Sequence, residues 1–295
     1  MISLPASFLE VVRQLNGEAG LRWAASLPQQ VAHLCEQWGL QVTDPAIHGA
    51  MSLVVPVQRE QQPCVLKLSW LRQWHEQEVA ALRAWNGRGA VLLLDDNPEC
   101  SATLLERLDA GRTLMTLSVA HALEVAAQLI ARLTVPAPAA VGSLDQWAEQ
   151  FASDATRARW QATGQPCSVD VLSKVQHLAA DLGPSSGRQL VHRDLWYGNV
   201  LAGHREPWLA IDPMVVAGAP EFGLAQLLWT RLDDIEAAGG VAWALQRLCA
   251  VAELDPALAR AWTLVRCVDY WLWGLEVGLT LDPARCRRIV EVLQD

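Results

Sequence analysis

The chain has almost no lysine: Lys67 and Lys174 stand against 21 arginines in 295 residues. It also has no strongly basic segment, and its formal net charge is -9. A nucleic-acid surface needs a positive stripe to neutralise phosphates, so no nucleic-acid partner is expected. Paired cysteine motifs are missing as well. The seven cysteines (35, 64, 100, 167, 249, 267 and 286) form no C-x-x-C and no Cys/His cluster. Scattered thiols in a chain of this length read as reduced and mostly buried, which fits a cytoplasmic protein. Long apolar runs are absent. The opening MISLPASFLEVVRQLNGE meets Glu10 and Arg13 too early for a secretory segment. The stretch VDYWLWGLEVGL is interrupted by Asp269 and Glu276, so no membrane partner is expected.

What the chain does have is apolar residues, 52% of them, and 14 tryptophans. That is ample for a large core, and most of the indoles are expected to build it. The acidic balance suits a cationic partner and equally suits solubility.

Hydrophobic spacing divides the chain in two. From Pro5 to Trp38 the apolar residues Leu27, Val31, Leu34 and Trp38 keep helical spacing, and Gly39 ends the run. Short runs separated by turn residues follow: LQVTDPAIHG, AMSLVVPVQ and CVLKLSW. They read as antiparallel strands joined by hairpins. A helix from Leu71 to Trp85 precedes two more strand candidates, AVLLLDD and SATLLERL. After Gly111 the spacing turns helical, from Thr113 to Leu133, then over 144–162 and 168–182. The strand-like pieces RQLVH and PWLAID interrupt the second half, and 221–293 reads as helices broken at Gly239-Gly240, Asp255-Pro256 and Asp282-Pro283. The expectation is an α+β fold: an antiparallel-sheet lobe over 1–108 and a mainly helical lobe over 109–295.

The chemistry concentrates in VHRDLWYGNVL at 191–201, where His192, Asp194 and Asn199 make H-x-D-x-x-x-x-N, the kinase pattern. A little further on, PWLAIDP puts Asp212 at the end of an apolar strand. Phosphoryl transfer needs a carboxylate beside the attacking hydroxyl, which Asp194 fits. It also needs an amide oxygen and a second carboxylate to hold Mg²⁺ against ATP phosphates, which Asn199 and Asp212 fit. His192 is expected to fix the loop by hydrogen bonds. The bland alternative is a polar turn between strands.

Lys67 is a second signal. It lies inside the apolar strand CVLKLSW, where a charge is costly without a partner. An ammonium on phosphate oxygens would justify Lys in a chain that otherwise uses Arg. Glu78 on the following helix is the best acid to orient it, with Glu76 second; an edge-strand lysine facing solvent is the alternative. Three weaker candidates remain, two for the nucleotide and one for the substrate. Gly49 in IHGAMSLV would turn a hairpin over the nucleotide. TLLERL at 103–108, with Glu106 and Leu108, would be a hinge whose backbone reads adenine, or a plain strand. Asp233, Asp234, Glu236, Asp269 and Glu276 would line a cationic substrate site, or simply be solvated helix faces.

Six segments carry a family resemblance: VLKLSW, ALRAWNGRGAVLLLDD, LLERLDAGRTL, VHRDLWYGNVLAG, WLAIDPMVVAGAPEFGLAQLLW and WTLVRCVDYWLWGLEVGL. Together they make the chain resemble the aminoglycoside/hydroxyurea phosphotransferases, of which streptomycin 6-phosphotransferases are the best known. The resemblance implies a protein-kinase-like fold with ATP between two lobes. It implies Asp194 as base, Asn199 and Asp212 as Mg²⁺ ligands, and Lys67 with Glu78 as phosphate clamp. The acceptor would be a hydroxyl of a small molecule, a cationic aminoglycoside such as streptomycin. The chain departs from the family at GAPEFGLA, where Ala219 and Gly223 stand in place of common acids. The loss at Gly223 removes one support of the loop. Alternatives are a kinase for a sugar, an amino alcohol or a fructosamine-like compound, and a nucleotide-binding pseudoenzyme.

Overall fold

The structure is a computed structural model that describes residues 2–49 and 51–294. The chain forms two compact units, Met1–Leu108 and Asp109–Asp295. Among the described residues no helix is long and apolar enough to cross a membrane.

The first unit begins with α1 (Ala6–Trp38), which departs from helical dihedrals at Gly17 and ends on Gly39 in the left-handed conformation (φ 63°). The strands follow: β1 (Leu40–Val42), β2 (Ile47–His48), β3 (Ser52–Arg59), β4 (Gln62–Ser69), then α2 (Arg72–Trp85), β5 (Leu93–Asn97) and β6 (Ala102–Glu106). All pair antiparallel, in the order β1-β3-β4-β6-β5 with β2 on β3. Period-two alternation assigns the faces. Leu53, Val55 and Val57 of β3, Leu66 and Leu68 of β4, and Ala102 and Leu104 of β6 share a core with Phe8, Val12, Leu27, Val31 and Leu34 of α1. Each such leucine or valine contributes about 1.5–3 kcal/mol by leaving water. Lys67, between Leu66 and Leu68, must therefore point to the other face, where it stands opposite Thr103 of β6. Helix α2 packs against β4, β5 and β6.

The second unit opens with β7 (Asp109–Thr113), a 3-10 turn at Leu114–Thr116, and the helices α3 (Val119–Leu133), α4 (Leu144–Ala152), α5 (Asp154–Ala162) and α6 (Val169–Leu182). The helix expected over 144–162 is thus two. Ser153 breaks it because its extended backbone caps the second, with Oγ accepting from the Ala155 N–H. Four short strands follow: β8 (Gln189–His192), β9 (Val200–Ala202), β10 (Trp208–Ala210) and β11 (Val215–Gly218). They make two small sheets, β10-β9-β7 and β11-β8. The chain then closes with a 3-10 turn at Pro220–Gly223 and α7 (Ala225–Trp229), α8 (Leu232–Ala238), α9 (Gly240–Ala252), α10 (Pro256–Glu276) and α11 (Leu281–Leu293). The break expected at Asp282-Pro283 falls earlier, over 277–280, and Pro283 lies inside α11. Proline is tolerated in a first turn, where its missing N–H would have no partner. Helix α10 starts sharply because Asp255 Oδ1 accepts from the N–H groups of Ala257 and Leu258, at 2.7 and 3.3 Å. It is the axis of this unit, burying Trp262, Leu264, Val265, Val268, Trp271 and Leu272.

Candidate active site

In the first unit the buried charge has found its acid. Lys67 Nζ lies 2.7 Å from Glu78 Oε1, and the two side chains are 8% and 5% exposed. A strand places the ammonium and the second turn of α2 places the carboxylate. Glu76 faces outward instead and bonds Arg72. A pair this dry is held by both partners: removing one leaves an uncompensated buried charge. Gly49 donates its N–H to Ser52 O at 3.0 Å, closing the turn between β2 and β3. Glu106 spends its carboxylate on the chain itself, with Oε1 accepting from the Leu92 N–H at 2.8 Å. Leu108 ends the unit.

In the second unit, strand β8 delivers the chain to the 193–199 loop, and hydrogen bonds anchor it at Arg193, Asp194 and Asn199. The buried His192 is a strut. Its Nδ1 accepts from the Asp194 N–H at 3.3 Å, so Nε2 carries the proton and donates to Ile211 O at 3.1 Å. That second bond reaches the residue before Asp212. Asn199 ends the 3-10 turn Tyr197–Asn199, and its Nδ2 donates to Asp194 O and Asp194 Oδ2 at 3.0 and 3.1 Å. The Ile211 N–H donates to Asn199 O at 2.9 Å, tying the loop to β10. Asp212 follows, exposed, in the left-handed region at φ 52° and directly before Pro213. A non-glycine residue there costs on the order of 1 kcal/mol, a strain that clusters at functional sites.

Electrostatics set Asp194 apart. Burial pushes its carboxyl above the ordinary carboxylate range, and the nearby Asp212 charge pushes the same way. The Gln226 amide opposes this, donating from Nε2 to Asp194 Oδ1 at 2.7 Å, as do the charges of Arg266 and Arg193. Both oxygens of Asp194 are thus held by neutral amide donors, which fix its direction without neutralising it. Gln226 stands in GAPEFGLAQLLW but nothing in its spacing marked it. A Cβ at Gly223 would lie 3.2 Å from both His192 O and Val191 Cγ1, so that position packs tightly under β8. The support expected from an acid there comes from Gln226, three residues on.

Phosphoryl transfer calls on residue types of these kinds, a carboxylate-bearing polar loop and a Lys–Glu pair. Residues 37–278 match the family described as aminoglycoside/hydroxyurea antibiotic resistance kinase. The hydroxyurea phosphotransferase of Kitasatospora aureofaciens is 40% identical over 99% of this chain and 86% of that protein. The chain belongs to the aminoglycoside/hydroxyurea antibiotic resistance kinases. It is a phosphotransferase with an alcohol group as acceptor. The streptomycin 6-kinase of Streptomyces glaucescens is 39% identical, covering 96% of this kinase and 95% of that one. Solved structures agree on the fold. A thermostable mutant of an aminoglycoside phosphotransferase, in complex with ADP and hygromycin B, superposes with a TM-score of 0.63 at 19% identity, over 88% of this chain and 97% of that one. Choline kinase LicA from Streptococcus pneumoniae gives 0.56 at 13% identity, over 90% and 99%. The protein-kinase-like α+β fold expected from the sequence is the one found.

The five acids expected to offer a cationic site behave differently. Asp233 pairs with Arg285 at 2.5 Å and Arg288 at 2.9 Å, Asp234 with Arg231 at 2.6 Å, and Glu236 with Arg288. Asp269 pairs with Arg266 at 3.0 Å, and Arg159 bridges it to Glu276. Burial still lifts the Asp269 carboxyl above its ordinary range against the pull of Arg266, Arg159 and Arg193. These acids are committed to the kinase's own arginines, and the solvated-face reading describes α8.

Proposed function

We propose that this kinase moves the γ-phosphate of ATP onto a hydroxyl of streptomycin or a closely similar aminocyclitol, with Asp194 as the base. The observation that carries the reading is the Asp194 carboxylate, aimed by Gln226 and Asn199 and raised in pKa by burial. A base is most effective when its pKa approaches the working pH, and a lifted carboxyl is better placed to accept a hydroxyl proton as the phosphate arrives. Lys67, oriented by Glu78, would bind phosphate oxygens. The donor set suits Mg²⁺: the Asn199 amide nitrogen is spent on Asp194, which leaves Oδ1 for a cation, and Asp212 adds a carboxylate. One or two such oxygens beside phosphates are what Mg²⁺ ordinarily takes from a protein. When bound, the ion neutralises charge on the phosphates. The strut role of His192 then has a purpose, since it couples the base-bearing loop to the segment that presents Asp212.

A second acceptor, hydroxyurea, is favoured by one observation, the 40% identity to the hydroxyurea phosphotransferase across 99% of the chain. The deciding experiment incubates purified protein with Mg²⁺ and γ-labelled ATP, offering streptomycin and hydroxyurea separately. The expected result is label transfer to streptomycin at a kcat/KM at least ten times that for hydroxyurea. Transfer to hydroxyurea alone would exchange the two readings, and transfer to neither would remove both.

A further inference from the structure

We infer that the acceptor is held by an aromatic ladder on α7 and α10, with the exposed indole of Trp273 receiving a guanidinium-type cation, and not by carboxylates. The inference rests on the acceptor reading above and adds the residue that would recognise it.

The ladder begins at the loop. Gln226, whose Nε2 holds Asp194 Oδ1, and Trp229 are three apart on α7 and so share a face. Trp229 is fully buried and stacks on Tyr270, with ring centroids 4.5 Å apart and planes 27° apart. Tyr270 in turn meets Trp273 at 5.2 Å, tilted by 57°. The rungs pass from a buried ring to one that is 41% exposed. Tyr270 is close enough to Asp194 for that charge to help hold its hydroxyl protonated, behind burial and the charges of Asp282 and Cys286.

An indole braced by a neighbouring ring and partly exposed is a rigid platform that loses little entropy on binding. Aromatic side chains of this kind dominate recognition sites. The carboxylate alternative fails because Asp233, Asp234, Glu236, Asp269 and Glu276 each already hold an arginine. Asp269 and Glu276, on the same helix as Trp273, are each paired with an arginine, which leaves the ring quadrupole as the feature that selects a cation. It attracts weakly hydrated planar cations best, which is why guanidinium groups stack on aromatic faces.

The test uses the full chain and streptomycin, which carries guanidinium groups. Steady-state kinetics at saturating Mg²⁺-ATP and calorimetric binding are measured for the wild type, Trp273→Ala and Trp273→Phe. The expected result for Trp273→Ala is a rise of about 3- to 30-fold in the streptomycin KM and Kd, the span of a cation over an indole face. kcat and the ATP KM should hold within about twofold, since loss of uniform binding leaves the chemical step alone. Trp273→Phe, which keeps a ring in the packing, should lose less. An unchanged streptomycin KM in Trp273→Ala with transfer intact would overturn the platform and leave the kinase assignment standing. Collapse of kcat and ATP affinity together in both variants would mark a structural tryptophan and overturn it too. Streptomycin binding that weakens in Trp273→Ala, without any transfer by the wild type, would support the platform and remove the streptomycin-kinase reading. A wild type that neither binds nor phosphorylates streptomycin would end both.

Discussion

The two charged centres of the molecule are built in opposite ways. Lys67–Glu78 in the first unit is a short contact, almost dry, between a residue locked in a strand and one locked in a helix. The Asp194 centre in the second unit is half-buried and lies on a loop. Its geometry depends on donors drawn from several elements: Asn199 within the loop, Gln226 from α7, and His192 bracing Ile211. A pair can rely on regular structure because the sheet and the helix already hold its two backbones. A loop has no ladder of its own, so each polar group must be satisfied individually, and directional control is spread over many weak bonds. The first arrangement is sensitive to loss of either partner. The second should degrade gradually, except at the reacting group itself.

The sharpest break of this comparison is Asp194→Asn. If the carboxylate is the base, kcat should fall about 10²–10⁴-fold while Mg²⁺-ATP still binds. Stability should change little. Asp194 has a raised folded-state pKa, so the fold gains stability as pH falls through that pKa and carries a penalty when the group is ionised above it. Asparagine removes that penalty but turns one of the two acceptors facing Asn199 and Gln226 into a donor, so the two effects oppose each other in the thermal midpoint at neutral pH. Single-turnover kinetics and a melting curve read both, and near wild-type turnover would sink the assignment of the base.

The next break is at Lys67–Glu78. Lys67→Met alone leaves the Glu78 carboxylate buried without its partner, and the fold should lose about 3–5 kcal/mol in urea titration. Lys67→Met with Glu78→Leu should regain most of that stability and still fail to bind ATP productively. Recovery of catalysis in the double variant would show that the pair serves the fold alone.

The smallest effect sharpens the loop side. Gln226→Leu takes away a donor to the charged Asp194, which lifts its pKa further. Because the base must be ionised, activity falls as pH drops through that pKa. The acid limb of the kcat profile should therefore move to higher pH, with a fall of about tenfold at most at neutral pH. The Lys67 strand is untouched, so ATP affinity should stay constant, and an acid limb that does not move would show that Gln226 only packs α7.

Lys67 was legible because a single charge in an apolar strand demands a partner, and Glu78 lay one element away. The His192–Asp194–Asn199 spacing and Asp212 at a strand end were legible because that chemistry fixes both residue type and interval. Most of the sheet lobe could be read from alternation, and most helices from spacing. The strands β7, β9 and β11, of three to five residues, were not anticipated, since such short runs carry too little periodicity to separate from loop. By itself the sequence determined the α+β order of the main elements and the types of residue fit for phosphoryl transfer, because these follow from local period and chemical necessity. Only the tertiary structure decided that Gln226 aims Asp194, that the acids of the helical unit are spoken for by arginines, and that Trp229, Tyr270 and Trp273 form a ladder. Those outcomes depend on which side chains of distant segments meet, and no interval along the chain encodes a meeting 32 or 52 residues apart.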